Sequence, residues 1–251
     1  DILYKQLSEI NKISFQGKEY AFEQSCIQSA VQKLKPFKND GLLPLNNELT
    51  DLLIMGTSET QSINGSTKSF TLNYIDWNNP EKNVFHAVPE FVVERVRSEK
   101  TIRPDIVLFV NGIPLGVIEC KSPSEELEQA VTQNIRNQTE TFIPHLFMYC
   151  QILMAVNKNG AKYATVGTQS KFWNIWKEPD ISPLLKIIEN PTEQDRTIFS
   201  LCSKDRFLDL IHGFTVFDVG TKKIARYQQY FSIKATLERI HCIGNDGIRQ
   251  G

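Results

Sequence analysis

The stretch at residues 103–121, RPDIVLFVNGIPLGVIECK, decides the fold. Two apolar runs flank an Asn-Gly pair, a pattern that predicts a β-hairpin with a tight turn. Asp105 stands before the first run, and Glu119 and Lys121 stand at the end of the second. An ionised side chain is costly to bury without a partner. We therefore expect the hairpin to present these three charges to one another.

The length of the turn determines which face of the hairpin carries Asp105. Glu119 and Lys121 are two residues apart in a strand, so both side chains point to one face. A two-residue turn would pair Val110 with Ile113 and send Asp105 to the face opposite Glu119. A three-residue loop, or an equivalent bulge, would bring all three charges to one side. We predict the odd loop or the bulge.

The residue types then indicate a chemistry. Two carboxylates suit Mg²⁺, which takes hard oxygen ligands and keeps several waters. The ammonium of Lys121 could orient or deprotonate an attacking water and offset charge on a phosphate. This set predicts metal-assisted phosphodiester hydrolysis, with a surface ion pair of little energetic value as the alternative.

Composition sets broad limits on the function. The 251 residues carry 28 Lys and Arg against 29 Asp and Glu, so a nucleic-acid surface must come from local patches. Five widely spaced cysteines are typical of reduced intracellular thiols, and no apolar stretch has the length of a membrane span. We expect a cytoplasmic protein that is not bound to membranes. The missing initiator Met and the polar end suggest a fragment of a longer chain.

The order of patterns along the chain predicts an α/β (α+β) fold, a mixed central β-sheet flanked by helices and followed by a smaller, mostly helical segment. We predict helices at 18–35, from Ser122 to about 139, at 182–190, at 204–211 and at 227–240; strands at 84–96, 145–157 and 162–168; a hairpin at 214–227; and loops at 38–49 and 57–69. Pro89 suggests an edge strand or a bulge, and a loose boundary falls near residue 180.

Together, the Pro-Asp, the hairpin and the Glu-x-Lys triplet resemble the motif of the PD-(D/E)xK nuclease superfamily. The fuller string RPDIVLFVNGIPLGVIECKSP, with IPHLF, VGT, FW..WK and DLI..FTVFD after it, is similar to the N-terminal nuclease domain of type I restriction enzyme R (motor) subunits. The resemblance covers residues from about 84 to the end. It implies an endonuclease domain at 1–180 and a helical linker at 181–251 that leads towards a helicase domain.

The resemblance also implies roles for individual residues. Asp105 and Glu119 would bind Mg²⁺, and Lys121 would be the catalytic lysine. Many relatives carry Gln-x-x-x-Tyr on the following helix, whereas this chain has Gln133 and then Asn137 in place of the Tyr. Gln133 could order the substrate or Lys121, or it could be a solvated side chain. Glu23 could supply a further acidic group or simply be solvated.

Partners follow from the same resemblance. They are double-stranded DNA and the specificity and methyltransferase subunits of a restriction complex, with ATP acting only through the absent helicase domain. The chain has no P-loop, no zinc-ligand spacing and no nucleophile elbow. The alternative function is a non-catalytic, nuclease-like module that docks on those subunits or on DNA.

One basic and aromatic cluster lies outside the hairpin. It consists of Lys222, Lys223 and Arg226 with Tyr227 and Tyr230. The cluster could contact the DNA backbone or be the solvated side of a hairpin.

Overall fold

The computed structural model describes residues 2–35 and 40–242. In chain order its elements are α1 (Ile2–Ile10), β1 (Lys12–Phe15), β2 (Lys18–Ala21), α2 (Gln24–Lys33), α3 (Leu42–Met55), β3 (Thr57–Ile63), β4 (Ser66–Leu72), β5 (Phe85–Pro89), β6 (Val93–Glu94), β7 (Thr101–Ile102), β8 (Ile106–Val110), β9 (Ile113–Cys120), α4 (Leu127–Asn137), α5 (Pro144–Phe147), β10 (Ile152–Asn157), β11 (Gly160–Ala164), α6 (Ser182–Leu185), α7 (Glu193–Leu201), α8 (Lys204–Gly213), β12 (Thr215–Asp218), β13 (Thr221–Ile224) and α9 (Tyr227–His241). Two short 3₁₀ turns, Pro80–Lys82 and Ser170–Phe172, complete the set.

A five-stranded mixed sheet lies at the centre, with the strand order β11-β10-β9-β8-β5. Strands β9 and β10 are parallel, and every other neighbouring pair in this sheet is antiparallel. Helix α4 makes the crossover between the two parallel strands, as a parallel connection requires. The predicted fold, a mixed sheet flanked by helices with a mostly helical C-terminal part, is confirmed.

The sheet packs helices on both faces. Val117 and Leu153 point into a core shared with Val131 of α4, and we call this side the α4 face. Ile118 and Met154, one residue further along the same strands, point into a larger core on the opposite face. This alternation follows from the two-residue period of a strand. Because Glu119 is two residues beyond Val117, its side chain lies on the α4 face.

The hairpin at the centre of the sheet has a two-residue turn followed by a bulge. Val110 pairs with Ile113, so the predicted three-residue loop is wrong. Two residues further along, Leu108 pairs with Gly116 while Phe109 pairs with Pro114, so one residue of β9 is left over between Pro114 and Gly116. This is the equivalent bulge that the sequence predicted. The extra residue restores the odd offset that brings Asp105 and Glu119 to the same face.

Asn111 and Gly112 make the tight turn possible. Their φ values are 53° and 86°, in the left-handed region that a two-residue hairpin turn needs and that Asn and Gly tolerate best. The buried Asn111 amide donates to the carbonyl of Tyr74 at 3.0 Å and to Oδ1 of Asn83 at 2.8 Å. The turn is thus fastened to the chain that precedes β5.

Several predicted elements in the N-terminal third were wrong. The predicted helix at 18–35 begins only at α2, because residues 18–21 pair with β1 as strand β2. The predicted loop at 38–49 is helix α3 from Leu42 onward, and its residues 38 and 39 lie outside the described part of the chain. The predicted loop at 57–69 belongs to the β3–β4 hairpin. In β3 the side chains alternate strictly between buried and exposed, a period-two signal that short polar residues concealed.

Three further helix and strand boundaries near the sheet differ from the predicted ones. The predicted strand at 84–96 breaks at Glu90, whose φ is 48°, although β5 is an edge strand as Pro89 suggested. Helix α4 begins at Leu127, because Ser122 and Glu125 close a separate hydrogen-bonded turn before it. The predicted strand at 145–157 begins only at Ile152, after the single helical turn α5.

The C-terminal part packs against the sheet. Helix α8, the β12–β13 hairpin and helix α9 are confirmed, whereas α6 is shorter than predicted and α7 was not predicted. The Tyr163 hydroxyl of β11 donates to the carbonyl of Ala225 at 2.7 Å. Trp176 packs on the rings of Tyr230 and Phe231 in α9. The division into two domains near residue 180 stays a prediction.

None of the helices in the described residues is both long enough and apolar enough to span a membrane.

Candidate active site

Asp105 and Glu119 meet at the open end of the central hairpin. Ile106 pairs with Ile118, so the residues just beyond this pair on the two strands are Asp105 and Glu119. The Asp105 carboxylate reaches across to β9, where its Oδ2 accepts the backbone N–H of Cys120 at 2.7 Å. Glu119 is 0% exposed, while Asp105 is half-buried. The two carboxyl groups therefore lie next to each other, with Glu119 enclosed and Asp105 partly exposed.

Gln133 of α4 links Glu119 to Lys121. Its Nε2 donates to Oε2 of Glu119 at 2.6 Å, and its Oε1 accepts from Nζ of Lys121 at 2.6 Å. Lys121 is half-buried, so this side of the site is partly exposed to solvent. The sequence left open whether Gln133 orders its neighbours or is solvated, and the contacts place it between the two charged groups.

Asn137 holds the other oxygen of Glu119. This residue, which stands where many relatives carry Tyr, is buried, with 0% of its surface exposed. Its Nδ2 donates to Oε1 of Glu119 at 3.0 Å. The signal that could have revealed this contact is the four-residue spacing from Gln133, which puts both amides on one side of the helix. We call Asp105, Glu119, Lys121, Gln133 and Asn137 the carboxylate site.

Burial and repulsion favour the neutral form of one carboxyl group. Burial first, and then the nearby carboxylate of Asp105, raise the pKa of Glu119 to about 8, and the ammonium of Lys121 opposes them. Burial and the same two carboxylates raise the pKa of the Cys120 thiol to about 11. A cation placed between the carboxylates would relieve the repulsion. The donor set of two carboxylates fits Mg²⁺, which accepts one or two protein carboxylates and fills its shell with water and phosphate oxygens.

The third acid that the sequence considered lies elsewhere. Glu23 precedes α2, where its backbone N–H donates to Gln61 at 2.7 Å. The helix that follows packs into the core on the opposite face of the sheet through Ile27. Within residues 2–35 and 40–242, no three His, Cys, Asp or Glu side chains cluster in a way that could hold a metal. The candidate metal ligands of this part of the chain are therefore Asp105 and Glu119.

The basic cluster of the C-terminal part differs from both interpretations of the sequence. Lys222 is 2% exposed and reaches into the interior, where its Nζ donates to Oδ1 of Asn46 at 2.7 Å and to the hydroxyl of Thr50 at 3.1 Å. It also donates to Oε1 of Gln151. Lys222 thus neither faces solvent nor can contact DNA. We call these four residues the lysine cage.

Two other members of the basic cluster have side-chain partners of their own. Lys223 is exposed and pairs with Asp218 across the hairpin. Tyr230 is buried, and its hydroxyl donates to Oδ2 of Asp209 at 2.7 Å. Lys223 and Arg226 are the exposed cations of this cluster.

The chain is similar in sequence to known proteins over most of its length. Residues 1–172 match the family described as type I restriction enzyme R protein N terminus. The type I restriction enzyme HindI endonuclease subunit of Haemophilus influenzae is 29% identical over 226 residues, which is 86% of this chain and 21% of that protein. The putative type I restriction enzyme MjaIXP endonuclease subunit of Methanocaldococcus jannaschii is 28% identical over 204 residues, 75% of this chain and 20% of that protein. A second subunit of that archaeon, putative MjaVIIIP, is 33% identical over 174 residues, which is 66% of this chain and 16% of that protein. The chain spans about a fifth of the length of these relatives.

Proposed function

Since the chain belongs to the family of type I restriction enzyme R protein N termini, we propose that it is a Mg²⁺-dependent endonuclease module that hydrolyses phosphodiester bonds of double-stranded DNA. The relatives are endonuclease subunits of type I restriction enzymes. In the whole protein, cleavage would be coupled to ATP-driven translocation by a motor domain and to specificity and methyltransferase subunits.

The observation that carries the proposal is that Asp105, Glu119 and Lys121 lie together on one face of the sheet. Repulsion and burial both disfavour two ionised carboxylates side by side, so such a pair takes up a proton or a cation. Asp105 and Lys121 are both partly exposed, so a metal ion and a phosphate can approach from their side.

Each side chain has a distinct role in this proposal. Asp105 and Glu119 would hold Mg²⁺, which would supply Lewis-acid chemistry to a phosphate oxygen and to water at this site. Lys121 lies two residues from Glu119 on the same face and offers an ammonium to the attacking water or to the phosphate. Gln133 hydrogen-bonds to both Lys121 and Glu119 and so fixes the position of one relative to the other. Asn137 fixes the second oxygen of Glu119 from the interior.

The proposal is tested by Asp105→Asn, which keeps the size of the side chain and removes its charge. We expect DNA cleavage and calorimetric Mg²⁺ binding to be lost together. Asp218→Asn is the matched control, because Asp218 is an exposed carboxylate of the β12–β13 hairpin that pairs with Lys223. Cleavage of both DNA strands by Asp105→Asn at the wild-type rate would overturn the enzymatic function and favour a non-catalytic docking module.

A further inference from the structure

A basic hairpin stands next to the carboxylate site. Strands β6 and β7 form a two-stranded ribbon whose Val93 and Ile102 pack into the core of the α4 face, the face that carries Glu119. The chain then runs directly into Asp105. We define the basic hairpin by its four cations, Arg95, Arg97, Lys100 and Arg103.

This hairpin is fixed to the segment after α4. The Arg95 guanidinium donates to the carbonyl of Thr141 through Nε at 3.1 Å and Nη2 at 2.9 Å. The backbone N–H of Val96 donates to the carbonyl of Phe142 at 2.9 Å. The guanidinium carbons of Arg95 and Arg136 lie 4.4 Å and 5.0 Å from the centre of the Phe142 ring. The ribbon therefore has a defined position beside α4.

A chain of contacts joins this ribbon to the site. Arg136 donates from Nη2 to Oδ1 of Asn137 at 3.3 Å, and Asn137 in turn donates to Glu119. Arg136 thus contacts the side chain that holds the buried carboxylate, and Arg95 lies on the other side of the shared Phe142 contact.

The exposed cations of the ribbon are not neutralised. Arg97, Lys100 and Arg103 are exposed, and none has a carboxylate within 4.0 Å among residues 2–35 and 40–242. Elsewhere on the surface, Lys162 pairs with Glu128 and Lys223 with Asp218. The ribbon also carries two acids, Glu94 and Glu99. Four cations against two acids leave it with an excess of two positive charges.

The carboxylate site offers positive charge to one phosphate at most. The proposed Mg²⁺ and the ammonium of Lys121 would both act at the scissile phosphate, and the two carboxylates beside them attract no other phosphate of the DNA. Binding of DNA comes chiefly from cations that contact backbone phosphates and release counterions. We propose that the basic hairpin is the DNA-backbone contact of this module, with Arg97, Lys100 and Arg103 each facing phosphates that flank the one to be cleaved. This inference rests on the proposed function and names the surface that holds the substrate.

The test compares two hairpins on opposite faces of the sheet. In the intact protein, Arg97→Gln with Lys100→Gln removes two charges from the basic hairpin. Lys12→Gln with Lys18→Gln removes two exposed charges from the β1–β2 hairpin, which packs into the opposite core through Ile13. Binding of a fluorescent 20-bp duplex is followed by anisotropy across a series of salt concentrations. Thermal melting checks that both variants are folded.

We expect the first variant alone to bind more weakly, by roughly tenfold at low salt. The slope of log affinity against log salt should decrease by about 0.9 for each phosphate that is no longer neutralised. Equal affinity and slope for the first variant and the wild type would overturn the inference. So would an equal weakening in both variants, since that would reflect overall charge. Unchanged DNA binding together with abolished association to a partner subunit would also overturn it and make the ribbon a protein interface.

Failure here is distinguishable from failure of the proposed function. If the basic hairpin does not bind DNA but Asp105→Asn abolishes cleavage, the nuclease function stands and only the contact surface is wrong. If Asp105→Asn cleaves normally, the nuclease function is wrong whatever the duplex titration gives.

Discussion

The carboxylate site and the lysine cage both surround a buried ionisable group with side-chain amides, yet they differ in access and in neighbours. Glu119 accepts from Gln133 and Asn137, and Lys222 donates to Asn46 and Gln151. Burial is the largest cause of both pKa shifts, upward for the acid and downward for the amine, to about 8 and about 7. The same physical cause therefore acts on opposite charges.

The two sites differ in the neighbours of the buried group and in its access to solvent. Glu119 stands beside the carboxylate of Asp105, which is partly exposed, so a cation from solution can reach the pair. Lys222 meets two amide oxygens and one hydroxyl and is only 2% exposed. Two adjacent carboxylates with one exposed side are suited to binding a cation. An enclosed amine whose partners come from distant parts of the chain fastens those parts together.

The largest change in activity is expected on replacing Glu119, and it tests whether the carboxylate site has a chemical role. Glu119→Gln removes the charge with little change in shape, and we expect DNA cleavage to fall roughly 10²- to 10⁴-fold. The free energy of unfolding should change by no more than about 1–2 kcal/mol, because one hydrogen bond is broken while the repulsion with Asp105 is removed. Cleavage assays and chemical denaturation measure the two quantities. Retained cleavage would show that the buried acid has no chemical role.

Lys222 should show the reverse pattern. Lys222→Met removes the donor to Oδ1 of Asn46, to the Thr50 hydroxyl and to Oε1 of Gln151, the last of which still accepts from Thr50. We expect the free energy of unfolding to fall by about 2–4 kcal/mol. The cleavage rate of the folded protein should not change. Lys223→Met is the control, since that lysine is exposed and its replacement should cost less than about 0.5 kcal/mol. A Lys222→Met protein as stable as the control would contradict the fastening role.

A smaller effect is expected at Asn137. Asn137→Leu removes the N–H that holds Oε1 of Glu119. A positioning residue of this kind typically changes metal affinity or activity roughly 10- to 100-fold. Calorimetric Mg²⁺ titration and cleavage assays would both show this decrease. Gln129→Leu, at an exposed position on the same helix, should leave both values unchanged. Full Mg²⁺ affinity in Asn137→Leu would remove Asn137 from the site.

The pH dependence of stability provides the finest test of the lysine cage. The unfolded chain keeps the proton of Lys222 up to about pH 10.4, whereas the folded protein releases it near pH 7. Between these values the unfolded state binds more protons, so this group makes the free energy of unfolding rise with pH, by up to about 1.4 kcal/mol per pH unit. Denaturation from pH 6 to pH 10 should show this rise in wild type and a flatter curve in Lys222→Met. Parallel curves would show that Lys222 keeps its ordinary pKa.

Much of the central sheet could be predicted because its signals are local. The apolar runs of β8 and β9 and the Asn-Gly turn lie within 20 residues of one another, and α4 has a clear helical period. The polar alternation of β3 and the helix α3 were missed because Thr, Ser, Asn and Gln are weak markers of burial. Their burial comes from contacts with distant residues, such as those of Asn46 with the carbonyl groups of Phe147 and Cys150.

The sequence by itself determined which residue types could meet. Asp105, Glu119 and Lys121 follow from the order of the chain, and strand periodicity alone puts the last two on one face. Only the tertiary structure decided that a bulge in β9 brings Asp105 to them, that Asn137 is buried against Glu119, and that Lys222 is enclosed rather than solvated. The physical reason is the distance along the chain over which each kind of interaction acts. Periodicity and turn preferences are properties of neighbouring residues, whereas register and burial depend on the free energy of packing residues that are far apart in the chain.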